Sequence, residues 1–258
     1  MFKKTILPEE IEALGLVSFP GEIHVISRPG WDFTKALLYL RKQKVIGFDT
    51  ESRPCFGPGQ RNNGTALLQL SGPDRAYLFR VQKLGMRRRL CSILANPNII
   101  KVGAASHDDV HGLQHYAAFK ERSFVDLQKI VWEWGINEKS VKKMAAIILG
   151  VRISKKEQLS NWEAETLSEG QKKYAATDAW ICREMYLKLL QCEKHPLTRE
   201  EMMPPEQLEA IKRAAQRREE ARRAEEERQR LAAERRRARR RNRKKNKKDD
   251  QSILKEGA

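Results

Sequence analysis

Four acidic side chains and one tyrosine stand in three short apolar settings: Asp49, Glu51, Asp109, Tyr174 and Asp178. The first setting is Val45-Ile46-Gly47-Phe48-Asp49-Thr50-Glu51. The second is Lys101-Val102-Gly103-Ala104-Ala105-Ser106-His107-Asp108-Asp109, and the third is Tyr174-Ala175-Ala176-Thr177-Asp178. A carboxylate in an apolar setting is costly unless something pairs with it. Several converging carboxylates repel one another, and a cation relieves that repulsion. Hard oxygen ligands suit Mg²⁺ or Mn²⁺. The chemistry these residue types offer is metal-dependent work on a phosphodiester.

Positioning them requires rigid elements. Val45–Thr50 reads as a strand, and alternate residues on a strand point to one face, so Asp49 and Glu51 can serve one site. Ile99–Ala105 reads as another strand, running into a helix for which Ser106 is a plausible cap. An acid in the first helical turn is favoured in its charged form. Asp108 and Asp109 both fit that position by spacing. A helix over about Ser168 to Gln191 puts Tyr174 and Asp178 four apart on one face. Three distant segments thus each bring one or two oxygen ligands. Two ions about 4 Å apart can be held this way, one activating water and the other stabilising the leaving oxygen. The phenol of Tyr174 suits the task of orienting that water.

The rest of the domain pattern is α/β. Thr65–Ser71 and Arg75–Val81 continue the strands, and the near-continuous apolar runs suggest a sheet covered on both faces. Asp32 can cap a helix carrying Leu37, Leu38 and Leu40. Ser140 can cap another, with Val141, Met144, Ala145 and Ile148 on one stripe and Gly150 closing it.

The combination resembles the DEDDy 3′–5′ exonucleases, the ribonuclease D and Werner-type exonuclease family, over about residues 25–195. The resemblance rests on Val45–Pro54 and on Val102-Gly103 followed by an aspartate seven residues after the valine, which selects Asp109. It also rests on Leu159-Ser160-Asn161-Trp162 with Gln171-Lys172-Lys173-Tyr174-Ala175-Ala176-Thr177-Asp178-Ala179. It implies a ribonuclease H-like mixed sheet flanked by helices and two divalent cations, Mg²⁺ or Mn²⁺. Asp49, Glu51, Asp109 and Asp178 would be the metal ligands, with Tyr174 as catalytic partner. The implied reaction is release of nucleoside monophosphates from a single-stranded 3′ end of RNA or DNA. A non-catalytic nucleic-acid-binding protein and a metal-dependent endonuclease or phosphatase on the same fold are the rival readings.

Composition points to the same partner. The 258 residues carry 51 Lys and Arg against 34 Asp and Glu, a net +17 that favours a polyanion. The expected organisation is an extension over 1–19, an exonuclease domain over 20–198 and a basic tail over 199–258. Residues 205–258 hold 20 basic and 11 acidic residues, with no aromatic among them. Good helix formers and pairs such as Glu219–Arg223 predict a solvated helix that fades into disorder. From Arg235 to Lys248 the tail has eleven basic residues and no acid. Nucleic-acid attachment through residues including Arg235, Arg236, Arg237, Arg239, Arg240 and Arg241 is expected there; a solubilising tail is the alternative.

Trp162 is read as core packing or as a base-stacking platform. Arg53 and Arg61 lie in the Gly- and Pro-rich stretch 53–64, read either as a contact to the scissile strand or as a plain connection. His107, His111 and His115 are read as surface residues of a helix, with a transition-metal site as the alternative, and Arg87-Arg88-Arg89 as a solvated helix face, with a contact to backbone phosphate as the alternative. Four scattered cysteines, no membrane-length apolar run and an early-charged N-terminus lead to an expectation of a cytoplasmic protein with no membrane partner. Oligomeric state is not legible.

Overall fold

The computed structural model of the chain describes residues 1–54 and 64–256, with tail side chains described over 206–237. Its chain divides into two compact units, Met1–Thr198 and Arg199–Ala258.

The first unit is built on a six-stranded mixed sheet. Its strands are β2 (Glu22–Ile26), β3 (Val45–Ser52), β4 (Thr65–Ser71), β5 (Arg75–Arg80), β6 (Ile100–Gly103) and β7 (Phe124–Asp126), in spatial order β2-β5-β4-β3-β6-β7. Only β4 runs against the rest, pairing antiparallel with β3 and with β5. A separate two-stranded pairing joins β1 (Leu16–Val17) to β8 (Arg152–Ile153). Helices α1 (Pro8–Glu12), α2 (Trp31–Lys42), α3 (Val81–Leu84), α4 (Arg88–Leu94) and α5 (Ser106–Gln114) precede α6 (Leu127–Ile130), α7 (Val141–Leu149) and α8 (Glu169–Leu190).

Both faces of the sheet are covered, as the apolar strands require. On one face, Ile46 and Phe48 of β3 pack with Phe33, Leu37 and Leu40 of α2, with α4, and with Val110 and Leu113 of α5. On the other, Val102, Leu67 and Leu78 meet α7 and α8, including Met144, Tyr174, Ala175, Ile181 and Met185. Each fully buried aliphatic side chain contributes about 1.5–3 kcal/mol relative to exposure. The alternation of β3 therefore sorts Ile46, Phe48 and Thr50 to the α2 side, and Gly47, Asp49 and Glu51 to the α8 side.

Two expected caps are replaced. Helix α2 starts at Trp31 after Gly30, so Asp32 lies inside its first turn and caps nothing. Helix α5 starts at Ser106 itself, after Ala105 in the left-handed region at φ 56°. The carboxylate of Asp126, at the end of β7, holds that turn by accepting from the Ala105 N–H at 3.0 Å and the Gln128 N–H at 3.1 Å. Ser140 does precede α7, without a side-chain cap bond, and Gly150 closes it at φ 67°. Ser168 caps α8 in a reciprocal box with Gln171.

The second unit holds α9 (Arg199–Met202) and one long helix, α10 (Pro205–Glu256). Its described face is laced by ion pairs three or four residues apart, including Glu219–Arg223 at 3.2 Å and Glu209–Arg213 at 3.0 Å. Among the described residues, no helix is long and apolar enough to cross a membrane.

Candidate active site

Close approach of α8 to β3 creates the site. Gly47 lies under α8 with no room for a side chain: a Cβ there would meet the Ala179 carbonyl oxygen at 1.8 Å. The helix answers with Ala175, Ala176 and Ala179, all fully buried. Small residues on both partners bring the backbones together. The result is a group of three carboxylates, Asp49, Glu51 and Asp178, with one ligand oxygen from each within 4.8 Å of the others. A register shift between Glu51 and Ser52 ends β3 beside them, a device common next to functional sites.

Asp109 arrives from the other face of the sheet. Its carboxylate accepts a hydrogen bond from Thr50 Oγ1 at 2.5 Å, and Thr50 sits between Asp49 and Glu51 on β3. Asp109 is half-buried whereas Asp108 is exposed. The pair that spacing left open is thus distinguished by burial and by the Thr50 bond. Asp109 lies outside the group of three but lines a cleft of about 860 Å³ with Thr50, Ser52, Thr65, His111 and Tyr116.

The electrostatics follow from burying four acids together. Burial holds Asp49 well above the usual carboxylate range, and the charges of Asp178, Glu51 and Asp109 add to it. Glu51 is pushed up to about 9, first by burial and then by Asp178 and Asp109. Asp178 rises to about 6 through burial, restrained by the hydrogen bond from Tyr174 and by Lys155. Asp109 also rises to about 6 by burial, restrained by Thr50. The Tyr174 phenol moves up as well, through burial and the charges of Asp178 and Glu51, so it keeps its proton. Such a set, rich in hard oxygen and short of positive charge, fits divalent cations.

The third motif acts as a clamp on α8. The Gln171 amide donates to Ser160 Oγ at 3.0 Å and to the Asn161 carbonyl at 3.1 Å. Trp162 is fully buried, its ring 5.8 Å from that of Tyr174. It offers no face to a base; of its two readings the structure supports core packing, beneath the tyrosine, and not the base-stacking contact. Arg53 is exposed and pairs with Glu163 at 3.5 Å. Arg61 lies outside the described residues, as do the side chains of Arg239, Arg240 and Arg241. Arg235, Arg236 and Arg237 are exposed on α10. His107 and His111 are exposed and stack edge-to-face at 4.4 Å.

Sequence reading missed three contributors. Thr50 fastens Asp109 to the acid-bearing strand; its place between the two acids was the available signal. The charge of Lys155 acts on both Glu51 and Asp178; nothing in its local sequence distinguished it from Lys156. Gln69 stands directly across the ladder from Asp49, fully buried, and neither of its amide atoms has a hydrogen-bond partner among the described residues. Register alone reveals it.

Comparison with known proteins gives the family. A family of 3′–5′ exonuclease domains matches residues 30–192, and the chain belongs to that family. Exonuclease domains of this kind use two divalent cations. The mouse bifunctional 3′–5′ exonuclease/ATP-dependent helicase WRN is 29% identical over 201 residues, 72% of this chain and 14% of that protein. The human exonuclease 3′–5′ domain-containing protein 2 is 33% identical over 174 residues, 62% of this chain and 28% of that protein. The chain therefore spans less than a third of either relative. Among solved structures, the Trypanosoma brucei RNase D complex with RNA U12 superposes with a TM-score of 0.58 at 18% identity. It covers 67% of this chain and 64% of that one, and it shows a shared fold.

Proposed function

We propose that this chain is a metal-dependent 3′–5′ exonuclease that trims single-stranded nucleic acid, RNA or DNA, to nucleoside monophosphates. The observation that carries the reading is the convergence of Asp49, Glu51 and Asp178 to within 4.8 Å, with Asp109 tied to the same strand. Family membership supports it, and an RNA-bound protein of the same fold supports nucleic acid as substrate.

In this reading Asp49, Glu51 and Asp178 would hold the ions, and Asp109 would complete the set directly or through water. Bound there, two divalent cations would supply a more acidic attacking water and charge neutralisation at the leaving oxygen. Tyr174, still protonated, donates its Oη–H to Asp178 and offers an Oη lone pair to accept from that water, orienting it for in-line attack. The hydrogen bond from Tyr174 to Asp178 and the packing of Trp162 fix the phenol. Positioning of this kind is how a protein converts two reactants into one pre-aligned pair. The basic tail keeps nucleic acid near without reading sequence, because phosphate contacts carry no base information.

The test is digestion of matched single-stranded RNA, single-stranded DNA and recessed duplex, each labelled at the 5′ end, in Mn²⁺ or Mg²⁺. Ladders that shorten one nucleotide at a time from the 3′ end are expected on at least one single strand. Internal cuts, free phosphate or intact substrate in every case would refute the reading.

A further inference from the structure

Away from the carboxylates, one surface combines exposed aromatic and unpaired basic groups. Trp31 opens α2 with 67% of its surface exposed, although an indole of that size is ordinarily mostly buried. It forms part of two clefts. One, of about 500 Å³, is lined by Trp31, Thr34, Arg87, Arg88 and Arg89. The other, of about 510 Å³, is lined by Trp31, Lys35, Tyr39, Lys42, Arg75 and Tyr77. The arginine run that the sequence presents as a solvated helix face is thus brought beside a tryptophan 56 residues earlier.

The charges on the first side are uncommitted. Arg87, Arg88 and Arg89 are exposed, and among the described residues none has an acidic partner. Arg87 Nε donates to the Leu84 carbonyl at 2.8 Å, which fixes its direction. On the second side Lys35 lies 5.5 Å over the Trp31 ring and Arg75 lies 5.4 Å over that of Tyr39. Glu22 and Asp32 are the acids lining that cleft, and they pair with Arg75 and Lys35.

The sheet register ties this surface to the site. Ile26, at the end of β2, pairs with Phe79; Arg80, at the end of β5, pairs with Leu67; and Leu67 pairs with Glu51. The chain leaving β2 toward Trp31, the chain leaving β5 toward Arg87, and the acids of β3 therefore lie toward the same end of the strands. Strands β2 and β3 are three spacings apart, about 14 Å.

We propose that Trp31 with Arg87, Arg88 and Arg89 forms a second contact for single-stranded nucleic acid, upstream of the 3′ end held at the carboxylates. Arginine supplies phosphate contacts and the indole supplies a face on which a base stacks, the combination that single-strand binders use. This inference rests on the exonuclease reading for its substrate class and adds where the strand runs.

The test uses the full chain and an oligonucleotide bearing 5-iodouracil, in EDTA so that no turnover occurs. Irradiation followed by peptide mapping should place an adduct at Trp31. Replacing Arg87, Arg88 and Arg89 together by Gln, which preserves helix propensity, should flatten the salt dependence of binding. Three lost phosphate contacts reduce the slope of log K against log salt by about 2. No adduct at Trp31, or adducts confined to the Asp109 cleft, with an unchanged slope, would overturn the proposal and leave this surface to a protein partner. Both readouts stand without catalysis, so a parent protein that releases no nucleotide refutes the exonuclease reading and leaves this test intact.

Discussion

At the residue scale the site is a concentration of negative charge that the fold holds at a cost. Glu51 at about 9, with Asp178 and Asp109 at about 6, sit above the ordinary carboxylate value near 4. The folded state therefore binds more protons than the unfolded chain, and this cluster's contribution to stability falls as pH rises from about 4 to 9. In EDTA, the melting temperature of the parent should decline across that range more steeply than that of Asp49→Asn. At pH 8 the variant should melt about 2–4 °C higher, the shift that roughly 1 kcal/mol produces in a domain of this size. Mn²⁺ should raise the parent's melting temperature and raise the variant's less. A variant that melts below the parent in EDTA at pH 8 would contradict the account. Most of this residue set was legible in the sequence, because each acid sits in a local pattern: alternate strand positions, a helix's first turn, a four-residue helical step. Thr50 and Lys155 were not, because each acts on a partner far away in the chain, and Gln69 was not, because only strand register sets it across from Asp49; spacing carries no information about either.

At the element scale, the distance between β3 and α8 sets the geometry. Gly47→Ala would drive a methyl into the Ala179 carbonyl, and overpacking of this kind costs about 1–3 kcal/mol. The helix must shift, and Asp178 shifts with it relative to Asp49. Nucleotide release should fall at least about tenfold, since small misplacements are expensive in a pre-aligned site. Circular dichroism should still show a folded protein. A folded variant with the parent's rate would show that the close approach is not what aligns the acids. Strands β3, β4, β5 and β6 and helices α7 and α8 were readable from apolar patterning. The edge strands β2 and β7 were not: β2 is short and half-exposed, and β7 has three residues. The starts of α2 and α5 were also misplaced. In each, a polar residue inside the first turn looked like a cap, while the turn itself was set by Gly30 or by Asp126 from a strand elsewhere.

At the scale of the whole molecule, about half of the net positive charge stands in the tail, apart from the acids: +9 of the chain's +17. Residues 205–258 carry 20 basic and 11 acidic residues, on a helix without aromatic side chains. The clustered carboxylates lie within the first unit. A protein working only through its tail would lose function with residues 205–258 and keep it in Asp178→Asn. The account predicts the reverse ordering. Removal of the tail should weaken oligonucleotide binding, raise KM and make binding less salt-dependent, with kcat retained. The most direct test is the single-turnover rate of nucleoside monophosphate release, in saturating Mn²⁺ and oligonucleotide, for the parent and Asp178→Asn. Cation stabilisation of the transition state amounts to several kcal/mol, and each 1.36 kcal/mol is tenfold in rate. The variant should therefore be slower by on the order of a hundredfold or more while binding the oligonucleotide as the parent does. Equal rates for the two proteins would contradict the assignment of these carboxylates as the seat of catalysis.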